Sequence, residues 1–138
     1  MSNVFRRCHT PTGNEYYDVS IEIEVALVPF LMNEKNVPKR HRLTYASKII
    51  ANLHRMQDFI TDAKTIYPTT EELVKEKKMA FQNAINSCER VFQGLQRMVF
   101  IITSIDVDKL DRVGQLLLKE SALLRDCRSK VKLQQQKK

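Results

Sequence analysis

The sequence predicts an all-α protein, specifically an up-down-up-down four-helix bundle, and three observations carry that expectation. Punctuation is sparse: 138 residues hold three glycines and four prolines, which favours few, long elements. Val74, Lys77, Phe81, Ala84, Cys88, Val91, Leu95, Met98 and Ile102 follow a three-four alternation that Lys77 alone interrupts. That spacing marks helices packed at a shallow angle. Finally, β-branched alternation never persists between turn signals, so strands have no support.

The elements follow in order. Residues 1–13 have no periodicity, end in Thr10-Pro11-Thr12-Gly13 and read as a flexible arm. From Asn14 a first helix is expected, with Tyr17, Ile21, Val25, Val28 and Leu31 inward and Ile23, Leu27 and Phe30 widening the stripe. Pro29 lies inside that run and should kink or tighten the helix, which ends near Asn33 to Asn36. A second helix starts between Lys39 and Thr44. Its inward face is Ala46, Ile49, Ile50, Leu53, Met56, Ile60 and Ala63, and it stops before Tyr67-Pro68. Thr69 with Glu72 reads as a capping box for the third helix. Ile85, Phe92 and Val99 add a second apolar row to that helix, giving it more than one apolar neighbour. Asp106 is the next cap. The fourth helix runs from about Val107, with Leu110, Val113, Leu117, Leu124 and Val131 inward and Leu116, Leu123 and Cys127 beside them. Residues 14–133 thus form the bundle, and residues 134–138 read as a disordered basic tail.

Composition narrows the function. A chain with 43% hydrophobic and 28% charged residues is globular, of one-domain size. Its charge of +7 is uneven: residues 1–34 carry −3 and residues 35–138 carry +10. A basic body behind an acidic first helix fits a nucleic-acid binder whose helices also pack on one another, with a solvated lysine-rich surface as the plainer reading. Cys8, Cys88 and Cys127 lack metal-ligand spacing, and the last two read as small buried hydrophobes. No signal-peptide pattern and no bilayer-length apolar run occurs, so a cytoplasmic protein is expected.

Catalysis finds no footing. His9, His41 and His54 fall in the arm, a basic turn and an exposed face. No Glu-x-x-His pair offers a di-iron site, no glycine-rich loop could cradle a phosphate and no serine sits in a nucleophile elbow. The expectation is a non-enzyme with no cofactor and no bound metal. The basic residues fall into three groups instead. Lys39, Arg40, His41 and Arg42 follow Pro38 with no acidic neighbour closer than Glu34, and read as a binding corner for RNA or DNA, or for a polymerase. Arg125, Arg128, Lys130 and Lys132 close the fourth helix, where cations also suit the helix dipole. Lys75, Lys77 and Lys78 read as a solvated face paired with Glu71, Glu72 and Glu76. The first and second helix-to-helix turns lie at opposite ends of an up-down bundle, so the groups cannot form one compact patch on a monomer. Tyr45 is the sole aromatic close to the first basic run, so stacking readout of single strands is not indicated.

Val28-Pro29-Phe30-Leu31 within the first helix, then Val37-Pro38-Lys39, a two-residue gap, Arg42 and Thr44, resembles the accessory variability determinant (Avd) proteins of diversity-generating retroelements. The likeness covers roughly residues 15–133, and extends to the related four-helix-bundle proteins encoded in intervening sequences of ribosomal RNA genes. Arg40, Leu43 and Ala46 depart from the family's usual turn, which leaves the ribosomal branch open. The resemblance implies a basic homopentameric bundle, with no membrane association, that binds template RNA or cDNA and the element's reverse transcriptase to support mutagenic cDNA synthesis. It carries over Pro38, Lys39, Arg42 and Thr44 as motif positions, with Arg42 the foremost contact. An oligomeric protein-interaction bundle with incidental basicity is the reading from a different class.

Overall fold

The computed structural model describes residues 14–134. The expected flexible arm with Cys8 and His9, and tail residues 135–138, lie outside the described residues. Four helices form the body: α1 (Glu15–Met32), α2 (Ser47–Thr65), α3 (Glu71–Ile101) and α4 (Asp111–Ser129). A single turn at Lys39–His41 and a wide π-type turn at Arg42–Ala46 lead into α2, and a 3-10 turn at Val107–Leu110 leads into α4. No strand occurs among the described residues. Successive helices run antiparallel through short connections. The heaviest packing is of α2 on α3, followed by α3 on α4 and then α4 on α1, with a lighter α1–α2 contact closing the circuit.

The bundle's seam is α3, as its alternation predicts. Phe81, Ala84, Ile85, Cys88, Val91, Leu95 and Met98 are all buried, facing Ile49, Leu53, Met56, Ile60 and Ala63 of α2. Thr70 begins the helix, its side chain accepting the Leu73 amide at 3.1 Å. The capping residue is therefore one position beyond Thr69, and Leu73, not Glu72, takes the place where a capping box needs its carboxylate. Asp106 caps as expected, accepting the Asp108 amide at 3.1 Å.

Three features depart from the apolar pattern. α1 is rotated from the expected face: Val19, Ser20, Ile23, Leu27 and Leu31 are buried, while Val25 is 66% exposed. The helix is apolar around most of its circumference, so two phases compete in sequence, and packing selects the one where small Ser20 fits. Ser20 Oγ is satisfied locally, donating to the Tyr17 carbonyl at 2.7 Å. Pro29 lies in the last turn and α1 runs through it to Met32, so the one i→i−4 bond that its missing amide removes falls beside the helix end. Lys77, the break in the α3 seam, is not part of a solvated face. Its Nζ donates to the Ala63 carbonyl and, at 2.9 Å, to the Ile66 carbonyl. It thereby satisfies orphan carbonyls at the end of α2, and burial lowers its pKa.

The third feature is Glu120. It is fully buried on α4 among Val113, Leu116, Leu117 and Leu124, and neither carboxyl oxygen has a hydrogen-bond partner. Burial pushes its pKa up to about 9. Across the seam Cys88 Sγ meets the Leu117 carbonyl at 3.6 Å, and burial with the nearby Glu120 pushes that thiol up to about 12. Cys88 is thus the inert core residue expected, while Cys127 is half-buried.

No helix among the described residues is long and apolar enough to cross a membrane.

Candidate nucleic-acid interface

The first basic group sits where local chemistry forces a chain reversal. Asn33 ends α1, and its carbonyl accepts the Val37 amide at 2.9 Å while its side-chain oxygen accepts the Lys35 amide at 2.9 Å. Asn36 Nδ2 donates back to the Phe30 carbonyl at 3.1 Å, and Val37 is fully buried as the anchor of the loop. Pro38 then takes an extended conformation, and its carbonyl accepts the His41 amide at 2.8 Å. The cations therefore occupy the first turn of the second helical segment, not the loop itself.

That position is electrostatically unfavourable, because the helix dipole places positive potential at an N-terminus. Lys39 and Arg40 are exposed, His41 and Arg42 half-buried. Arg40 Nε donates to His41 Nε2 at 3.2 Å, and the Arg42 Nε is buried with no partner. Among the described residues none of the four is ion-paired, whereas Arg112, Lys119 and Lys130 are. An anion would relieve both the dipole and the mutual repulsion.

Next along the chain, the π-type turn closes with the Ser47 amide reaching the Arg42 carbonyl. Ser47 Oγ donates to the Leu43 carbonyl at 2.7 Å, satisfying an acceptor in the widened turn. π-type turns cost hydrogen-bond geometry and concentrate at functional sites. This one delivers Thr44 and Tyr45 to a groove of about 420 Å³ between α2 and α3. Lys48, Asn52, Arg90, Gln93 and Arg97 complete its polar walls, with no carboxylate among the described residues that line it. The floor is a close helix approach: a Cβ on Gly94 would lie 2.9 Å from Ile49 Cγ1. The His41 and Tyr45 rings are 6.0 Å apart, so the basic corner and the groove are continuous.

The second basic group lies at the far end. Gln134 donates its amide to the Pro68 carbonyl at 2.8 Å, which ties the segment after α4 to the α2–α3 connection. Arg128 donates to Gln82 Oε1 on α3, and Lys130 pairs with Asp126 at 2.9 Å, a hydrogen bond that raises its pKa. Arg128 thus ties α4 to α3, Lys130 pairs within its own helix, and Arg125 and Lys132 remain exposed. The structure does not bring the two groups together. Sequence reasoning missed Lys48, Arg90 and Arg97, which are scattered over two helices. Arg90 and Arg97 are seven residues apart, two helical turns on one face, and that spacing was the available signal.

An apolar groove of about 220 Å³ runs between α3 and α4, lined by Phe92, Val99, Phe100, Val107, Leu110 and Gly114 among others. Phe100 is 83% exposed there. Of the row expected to exceed a single seam, Ile85 is buried within the bundle, and Phe92 and Val99 face this groove. Among the described residues no three His, Cys, Asp or Glu side chains are placed to hold a metal ion.

Fold and surface together define a class: a four-helix bundle with an unpaired cationic end and a separate apolar groove. Comparison with protein-family models, with curated proteins and with solved structures finds no match to this chain.

Proposed function

We propose that this chain is a non-enzymatic accessory protein that binds nucleic acid through the bundle end carrying Lys39, Arg40 and Arg42. The observation that carries the reading is the set of cations there without ion pairs, placed at a helix start and continuous with a groove free of carboxylates. Cations paired for folding would sit as Arg112 and Lys119 do, against Glu22 and Glu15 of α1. Together with the likeness of the Val37-Pro38-Lys39 turn to the Avd family, this supports a role with a reverse transcriptase and its template RNA in mutagenic cDNA synthesis. The related ribosomal intervening-sequence bundle is the alternative within the same class. The apolar α3–α4 groove and the exposed Val25 and Met32 of α1 support association into a homo-oligomer, a pentamer by the same likeness. Patches of this kind on a small bundle mark protein contacts.

The test is fluorescence anisotropy with a structured RNA across a salt series, on protein whose mass is first fixed by light scattering. Replacing Lys39, Arg40 and Arg42 together by alanine should weaken binding and flatten the salt dependence by about 0.7–0.9 log units per lost phosphate contact. Helical content should not change. Unaltered affinity for both RNA and a reverse transcriptase would refute the assignment to this corner, and a monomeric mass would refute the oligomer.

A further inference from the structure

The α2–α3 groove differs from the corner beside it in being a cleft with walls from two helices. We propose that it seats one unpaired nucleotide of a single strand, with phosphate held by Arg90, Arg97 and Lys48 and the base laid against Tyr45. This rests on the nucleic-acid reading above and makes it specific for single strands. The groove's volume of about 420 Å³ falls within the range of ~300–1,000 Å³ typical of small-ligand sites. Its walls divide by chemistry. Arg90 and Arg97 stand two turns apart on α3, about 10 Å along the axis, and bracket the cleft with planar guanidinium groups suited to phosphate oxygens. Lys48 adds a third cation from α2.

Between them lie groups a phosphate alone would not need. Tyr45 is half-buried and lines the groove. Asn52 and Gln93 supply amides, each both donor and acceptor, the pairing capacity a base edge demands; Gln93 keeps one N–H and its carbonyl for this, since its Nε2 also donates to Glu89 at 3.4 Å. The π-type turn of Arg42–Ala46 is what brings Tyr45 here, and it accounts for an irregular turn in an otherwise regular bundle. A duplex keeps its bases stacked inside and offers a cleft of this size nothing to insert. A flexible strand can splay one base outward, and stacking on a single aromatic ring is tolerant of base identity. Among the described residues Tyr45 is the one aromatic in the lining, so the site holds one base and not a run.

The experiment compares binding of short fluorescein-labelled oligouridylate, oligothymidylate and a duplex of equal length to the full chain. Tyr45→Leu should lower affinity for both single strands about tenfold, leave duplex affinity unchanged, and be rescued by Tyr45→Phe. The pair Arg90→Gln with Arg97→Gln should flatten the single-strand salt slope by about 1.4, at ~0.7 per contact. Circular dichroism and the thermal midpoint confirm that each variant is folded. A loss for oligouridylate alone would assign the seat to RNA, and equal losses to either strand type; both outcomes support the proposal. Single-strand binding that responds to the Lys39/Arg40/Arg42 variant but not to the groove variants would overturn this inference and leave the proposed function standing. So would equal losses for single strands and duplex in Tyr45→Leu. An unmodified chain that binds no nucleic acid at all would instead refute the proposed function.

Discussion

Glu120 offers the strongest perturbation. Its carboxyl is fully buried and both oxygens lack partners, so the group folds in its neutral form, with the pKa pushed from 4.5 to about 9. In the unfolded chain the same group ionises near its ordinary pKa. Between those values the native state holds a proton that the unfolded state has released, so stability falls as pH rises through this window. The slope is about 1.4 kcal/mol per pH unit for one proton. At pH 7 the accumulated loss is therefore on the order of 3 kcal/mol relative to acid conditions, and it reaches about 6 kcal/mol above pH 9. Glu120→Gln keeps the shape and cannot ionise. Urea denaturation from pH 4 to pH 9 should show the variant gaining on the parent steadily with pH, with the difference close to zero near pH 4. Parallel stability curves for parent and variant would refute the reasoning, because they would mean that Glu120 ionises alike in both states. Glu120→Leu should gain at every pH, since it also removes two unsatisfied buried polar atoms.

Two further outcomes follow from the packing. Gly94→Ala should destabilise the bundle by about 1 kcal/mol, because overpacking against Ile49, about 1–3 kcal/mol, outweighs the helix-propensity gain of ~1 kcal/mol. Ile49→Ala in the same chain should relieve the clash, and a stabilised single variant in urea melts would refute the close approach. Lys77→Met should cost about 2 kcal/mol, the loss of two charge-assisted hydrogen bonds to the end of α2, seen as a lower urea midpoint with unchanged helical content. No loss would show that water caps those carbonyls equally well.

How much could be read beforehand follows from what each helix must satisfy. α3 was legible because the three-four alternation from Phe81 to Met98 marks one continuous seam, and that seam is what the bundle buries. α1 was not. Ile21, Val25 and Val28 spell a helical face as convincingly as Ile23, Leu27 and Leu31, and only the partners choose between them. The unused face remains as exposed Val25 and half-buried Ile21, while Val28 packs against the edge of the core. Glu120 was invisible for the opposite reason. At three residues after Leu117 and four before Leu124 it sits on the inward stripe, but a carboxylate there reads as a break in the pattern, not as part of it. Lys77 posed the same problem, and the structure answers it differently: a long aliphatic stem lets its amine reach two carbonyls, whereas Glu120 reaches nothing. The site divides along the same line. Lys39 to Arg42 are contiguous, so their charge shows in sequence, whereas the groove draws Tyr45, Lys48, Arg90 and Arg97 from two helices and exists only once Gly94 has let those helices touch.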